Sequence, residues 1–154
     1  MAQTFSNWAQ IEKHLNGIIQ KVLEEDVSLH VKECIQTNVG HTIYNSGTPL
    51  YYKRRGENAN GGISASINGS GSIGDINTMT HAVNNGELTV TPEAKGFNRD
   101  FDNLAEKLEF GYGKEWYSLP RPFIEETRKD LKETQSHVDV MREGLIARGL
   151  NVVK

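Results

Sequence analysis

The chain has 154 residues, 36% of them hydrophobic and 24% charged, with a formal net charge of -3 and a single cysteine. Those figures suit one domain with a modest core. They exclude a strongly basic nucleic-acid binder, a disulfide-stapled fold and a wholly disordered chain.

Residues 1–8 carry neither a basic nor an apolar leader pattern, so no signal peptide is expected. No apolar run approaches the ~20 residues of a membrane span. Trp8, Ile11, Leu15, Ile18 and Val22 then recur at steps of three and four, and Leu23, Val27, Val31 and Ile35 continue the stripe with a small rotation. This spacing predicts one helix over about 7–36. Asn7 and Gln10 resemble a capping box at its start, Gly17 is a candidate bend, and Asn38 and Gly40 supply the stop. At 1.5 Å per residue the rod is roughly 45 Å long. It needs a sheet or a neighbouring chain to cover its apolar stripe.

Beyond Thr42 glycines punctuate the chain. Tyr44, Leu50, Tyr51 and Tyr52 suit a strand or aromatic edge, and 56–75 reads as a flexible glycine-rich loop. Residues 78–83 and 87–91 read as a hairpin around Asn84, Asn85 and Gly86, ended by Pro92. A short helix over 103–110 closes at Gly111. Pro120 and Pro122 lead into a last helix over 121–148, with Gly149 as its C-terminal cap. Along it Ile124, Leu131, Val138 and Leu145 recur every seven residues, beside a half-polar second seam of Thr127, Thr134 and Met141. The expected fold is therefore α+β. A small, mainly antiparallel sheet is flanked by a long N-terminal and a long C-terminal helix, within a single domain spanning 1–154. The expected core is Trp8, Leu15, Val22, Leu88, Val90, Phe123, Leu131, Val138 and Leu145.

Chemistry-bearing patterns are sparse. Gly69 to Gly74 satisfies G-x-G-x-x-G, but the following residues read as strand, where a dinucleotide site needs a helix. His30 and Cys34 lie four apart, yet no further His or Cys completes a metal set. The expected state is a solvated His30 and a half-buried Cys34. Glu133 and His137 read as a surface helix pair. Contiguous carboxylates in helices point in different directions. No nucleophile elbow or activated cysteine is present, so no catalytic residue, cofactor or metal is expected. Lys53, Arg54 and Arg55 form the compact basic cluster. It is read first as a solvated strand end, then as a contact for an acidic protein neighbour, and last as a DNA-backbone contact.

One set of features, in this order, carries a family resemblance: a long N-terminal helix; Tyr52, Lys53, Arg54, Arg55 and Gly56; Gly61, Gly62 and Ile63; the hairpin through Asn85, Gly86, Glu87, Leu88, Thr89 and Val90; Leu108, Glu109, Phe110 and Gly111; and Arg121, Pro122, Phe123 and Ile124 before a helix. The chain resembles the tail-component family of long-tailed phages, which includes tail completion and head–tail joining proteins. The added glycine-serine length between Gly62 and Asp75 departs from that pattern. The resemblance implies a mixed α+β virion subunit assembled in the host cytoplasm, without cofactor or catalysis. It would join other head–tail or tail proteins at the neck, as a homo-oligomeric ring. Tyr52, Lys53, Arg54, Arg55, Gly61 and Gly62 are the candidate partner contacts. Ile124, Leu131, Val138 and Leu145 are the candidate interface seam. A tail terminator ring subunit, a peptide-binding adaptor module and a small hydrolase with a dispersed site are the competing classes.

Overall fold

The computed structural model describes residues 5–44, 73–93, 104–111 and 120–152. Asn7 is extended, at φ -155° and ψ 166°, and its Oδ1 accepts the Gln10 amide at 3.0 Å, which starts helix α1 (Trp8–Val22). The Gln10 side chain completes the cap one residue early, accepting the Ser6 amide at 2.9 Å.

The rod does not stop at Asn38 and Gly40. α1 passes through a π-helical turn, π1 (Leu23–Val27), into α2 (Ser28–Val39) and then into a second such turn, π2 (Gly40–Tyr44). Gly40 itself is right-handed helical, at φ -56° and ψ -50°. Asn38 is buried, and its Nδ2 donates to Asp130 Oδ2 at 2.8 Å and to the Cys34 carbonyl at 3.3 Å. That cross-helix partner overrides the usual preference of Asn for helix ends. Gly17 sits inside α1 without ending it, so the irregularity of the rod lies at π1 instead.

Downstream, Asp75 Oδ1 accepts the Asn77 amide at 3.0 Å and the Thr78 amide donates to the Asp75 carbonyl at 3.0 Å. This turn delays the first strand, so β1 is Thr80–Asn84 and β2 is Glu87–Thr91. They pair antiparallel, with Val83 opposite Leu88 and His81 opposite Val90. Asn85 and Gly86 both take positive φ, 52° and 81°. Both signs match the two-residue turn whose twist suits a hairpin. α3 (Leu104–Phe110) ends at Gly111, φ 82°.

The expected last helix is two helices, α4 (Phe123–Thr134) and α5 (Ser136–Ala147). Between them Gln135 is left-handed, at φ 56° and ψ 18°, a conformation that costs a non-glycine residue about 1–3 kcal/mol. The C-terminal cap is as expected. Gly149 has φ 86°, its amide donates to the Ile146 carbonyl at 2.9 Å, and the Leu150 amide reaches the Leu145 carbonyl at 3.0 Å.

α2 and α4 run antiparallel. His30 meets Ser136 and Asn38 meets Asp130, while Ile35, Val39 and Ile43 gather around Phe123. The buried cluster is Ile35, Val39, Ile43, Ile73, Met79 and Phe123, with Val90 and Ile124 packed against its edge. The fold is thus α+β, and among the described residues it is mostly helical with a two-stranded antiparallel sheet flanked by helices. The expected core needs correction. Val22 and Phe123 are fully buried, but Trp8 is 76% exposed and Val138 40% exposed. Leu15, Leu88, Val90, Leu131 and Leu145 are half-buried. Trp8 lies in the first turn of α1, whereas the described cluster draws its helical members from α2, π2 and α4.

α5 crosses the rod closely at a glycine. A Cβ on Gly144 would lie 2.6 Å from Val22 Cγ1 and 2.6 Å from Asp26 Oδ2, whereas one on Gly17 would meet nothing within 4 Å. Alanine gains about 1 kcal/mol over glycine inside a helix, but overpacking costs about 1–3 kcal/mol. Urea midpoints should therefore separate the two sites. Gly17→Ala should gain up to about 1 kcal/mol, and Gly144→Ala should lose up to about 2 kcal/mol once the helix gain is subtracted from the overpacking cost. Equal midpoints for the two variants would contradict the close crossing.

Candidate assembly surface

α4 turns a different seam inward from the one expected. Phe123 (0% exposed) and Thr127 (3%) are its buried positions. The Thr127 hydroxyl donates to the Phe123 carbonyl at 2.7 Å, so its polar atom is satisfied within the helix and can leave water at little cost. The heptad positions sit beside this face. Ile124, Leu131 and Leu145 are half-buried and Val138 is exposed, and the left-handed Gln135 divides them into one pair on α4 and one on α5. These four residues therefore border the core rather than build it.

α1 shows the same partial cover. Ile11, Leu15, Ile18 and Ile19 are half-buried and only Val22 is fully enclosed. Phe5 folds back on His14, with ring centroids 5.1 Å apart. α5 packs against α1 and π1, yet Ile146 remains 53% exposed. Leu29 (47%) and Phe110 (75%) add further apolar exposure. α5 is held down at its end by Arg148, whose Nη2 lies 2.6 Å from Glu25 and Nη1 2.5 Å from Asp26.

Two of the segments behind the resemblance meet in space. The Arg121 amide donates to the Leu108 carbonyl at 2.7 Å. The Glu109 carboxylate, 9% exposed, accepts the Ile124 amide at 2.8 Å and the Glu125 amide at 2.9 Å. A negative group thereby satisfies amides that the first turn of α4 leaves without helical partners. Nothing in the spacing of these segments announces the junction; an acidic residue just ahead of Gly111 is its faint signal.

Tyr52, Lys53, Arg54, Arg55, Gly61 and Gly62 lie outside the described residues, as does the glycine-rich loop through residue 72. The end of that loop, from Ile73 on, is enclosed. Ile73 is 3% exposed, Gly74 is buried, and Gln36 Nε2 donates to the Gly74 carbonyl at 2.7 Å. After Gly74 comes a turn and then β1, so the glycine pattern lacks the helix a dinucleotide site requires.

His30 is half-buried rather than solvated. Its Nε2 lies 2.8 Å from Ser136 Oγ and 3.7 Å from Cys34 Sγ. Burial, together with the charges of Asp130 and Glu33, raises the Cys34 thiol above its ordinary pKa, so the group is held as a thiol and away from nucleophilic chemistry. Glu133 and His137 do not form a pair on one helix, because Gln135 breaks the helix between them.

No curated protein and no solved structure matches this chain. A family does: the YomN family matches residues 7–147. That span runs from the cap of α1 to the last residue of α5 and takes in both half-covered stripes. The chain belongs to the YomN family, a phage-associated protein family.

Proposed function

We propose that this chain is a structural virion protein of a tailed phage, completing the tail or joining it to the head at the neck. It acts through protein–protein assembly as a subunit of a homo-oligomeric ring. The observation that carries the reading is the partial cover of two apolar stripes, along α1 and along Ile124, Leu131, Val138 and Leu145. Apolar side chains left partly open along a helix are what neighbouring subunits enclose. Membership of a phage-associated family supports the setting, and the order of segments described above supports the neck. Phage particles made without the protein test it. Full heads and separate finished tails are the expected result. Tails of irregular length would favour a terminator ring, and intact infectious virions would overturn the reading.

The stripe has its own test. Leu131 is half-buried, so Leu131→Asp is expected to keep native helical circular dichroism and to sediment as a smaller species than the parent chain. A charge at a buried interface costs several kcal/mol when unpaired, enough to dissociate a ring. A folded variant of unchanged size would remove the stripe from the interface.

A further inference from the structure

We infer that Gln135 is an elbow at which α4 and α5 interconvert between the bent arrangement and one continuous helix, and that straightening makes the assembly stripe continuous. The second half rests on the assembly reading above; the first half does not.

The residues at the bend do not require it. At the other positive-φ positions among the described residues the chain supplies glycine or asparagine: Asn85, Gly86, Gly111 and Gly149. At the bend stand Thr134, Gln135 and Ser136, with neither glycine nor proline, and glutamine is a good helix former. The seven-residue recurrence of Ile124, Leu131, Val138 and Leu145 runs straight across the bend. Such a period places residues on one face only if the helix is continuous. Pattern and local propensity thus specify a conformation that the bent state denies.

The contacts that hold the bent state are mostly remote from residue 135. His30 Nε2 reaches Ser136 Oγ at 2.8 Å. Arg148 bridges Asp26 and Glu25 at 2.5 and 2.6 Å. Gly144 lies close against Val22. Gly144 is nine residues beyond the elbow, roughly 13 Å along a helix, so reorientation at Gln135 separates that contact and the clamp beyond it. At the bend the exchange is small. Gln135 Nε2 donates to the Lys132 carbonyl at 2.7 Å, the acceptor that the Ser136 amide takes in a continuous α-helix. Ser136 meanwhile donates its amide to Thr134 Oγ1 at 3.3 Å. Straightening swaps one donor for the other. The helix remains intact on both sides, since the Gln135 amide already reaches the Leu131 carbonyl at 3.0 Å and the Asp139 amide the Gln135 carbonyl at 3.3 Å.

Spin labels on Arg128→Cys and Ala147→Cys, in the full chain with Cys34→Ser, read the elbow by pulsed dipolar spectroscopy. A continuous helix separates these positions by roughly 28 Å along the backbone, and the bent state by less. Gln135→Gly favours the left-handed turn and Gln135→Ala the continuous helix. The ratio of long to short distances should therefore rise at least about fivefold from the glycine to the alanine variant. It should rise further when Arg148→Ala is added to Gln135→Ala. If that double variant does not fold, the two single variants decide the matter with the clamp intact. The same distribution in the glycine and alanine variants would overturn the elbow. The link to assembly is read separately, by complementing phage that lack the protein with Gln135→Gly. Fewer joined particles are expected. Normal yield from this variant, with the distances behaving as stated, would overturn the link to assembly while leaving the neck reading to the deletion experiment.

Discussion

Phe123→Ala is expected to lower the stability of this protein by about 3–5 kcal/mol, the range for removing a large aromatic side chain from a packed core. Phe123 is fully buried and shares its cluster with Ile35, Val39, Ile43, Ile73 and Met79. It joins three separate stretches of chain: the end of the long rod, the turn before the hairpin, and the first residue of α4. Truncation removes the contact common to all three, and their different elements cannot collapse together to close the space. Urea unfolding with an unchanged slope is the proper readout, because the midpoint then reports stability alone. A loss below about 1 kcal/mol, little more than an ordinary surface change, would show that the three stretches do not depend on this residue.

Glu109→Ala carries the next largest effect, about 2–4 kcal/mol, from about 1–2 kcal/mol for each of the two partly buried amides left without an acceptor. The carboxylate is nearly enclosed and accepts the Ile124 and Glu125 amides at 2.8 and 2.9 Å. Without it, those amides face a protein environment with less access to water. Glu109→Gln restores only part of the loss, because its side chain offers one acceptor oxygen and presents an NH2 group to the second amide. The neighbouring Phe110, 75% exposed, is the control, and Phe110→Ala should stay within about 0.5 kcal/mol. Hydrogen exchange locates the effect. Protection of the Ile124 and Glu125 amides should fall in Glu109→Ala ahead of the rest of α4. Undiminished protection there would show that the cap contributes nothing.

Features governed by near neighbours along the chain are legible in the amino-acid sequence alone. Asn7 caps α1, Asn85 and Gly86 turn the hairpin, Gly111 ends α3 and Gly149 closes α5, each for reasons contained within a few residues. Turn and cap chemistry is local because it depends on which residues tolerate positive φ or offer a side-chain oxygen to a free amide. The α+β class follows from the same punctuation and from helical periodicity. The candidate seam is visible as a pattern of residues, but its placement against the core is not.

Three outcomes depend on residues far apart in the chain. The rod continues past Asn38 because Asp130 supplies a partner for the Asn38 side-chain amide. α4 buries Phe123 and Thr127 instead of Ile124 and Leu131, since the Thr127 hydroxyl is satisfied within the helix while Phe123 fills the space among Ile35, Val39 and Ile43. The chain bends at Gln135 against its own helical preference, and Ser136, Gly144 and Arg148 find their partners at His30, Val22 and the carboxylates of Glu25 and Asp26. Periodicity sets how apolar residues are spaced along a helix. The rotation of that helix against its neighbour, and the point where it bends, follow from polar partners and side-chain volumes that meet only when distant segments pack.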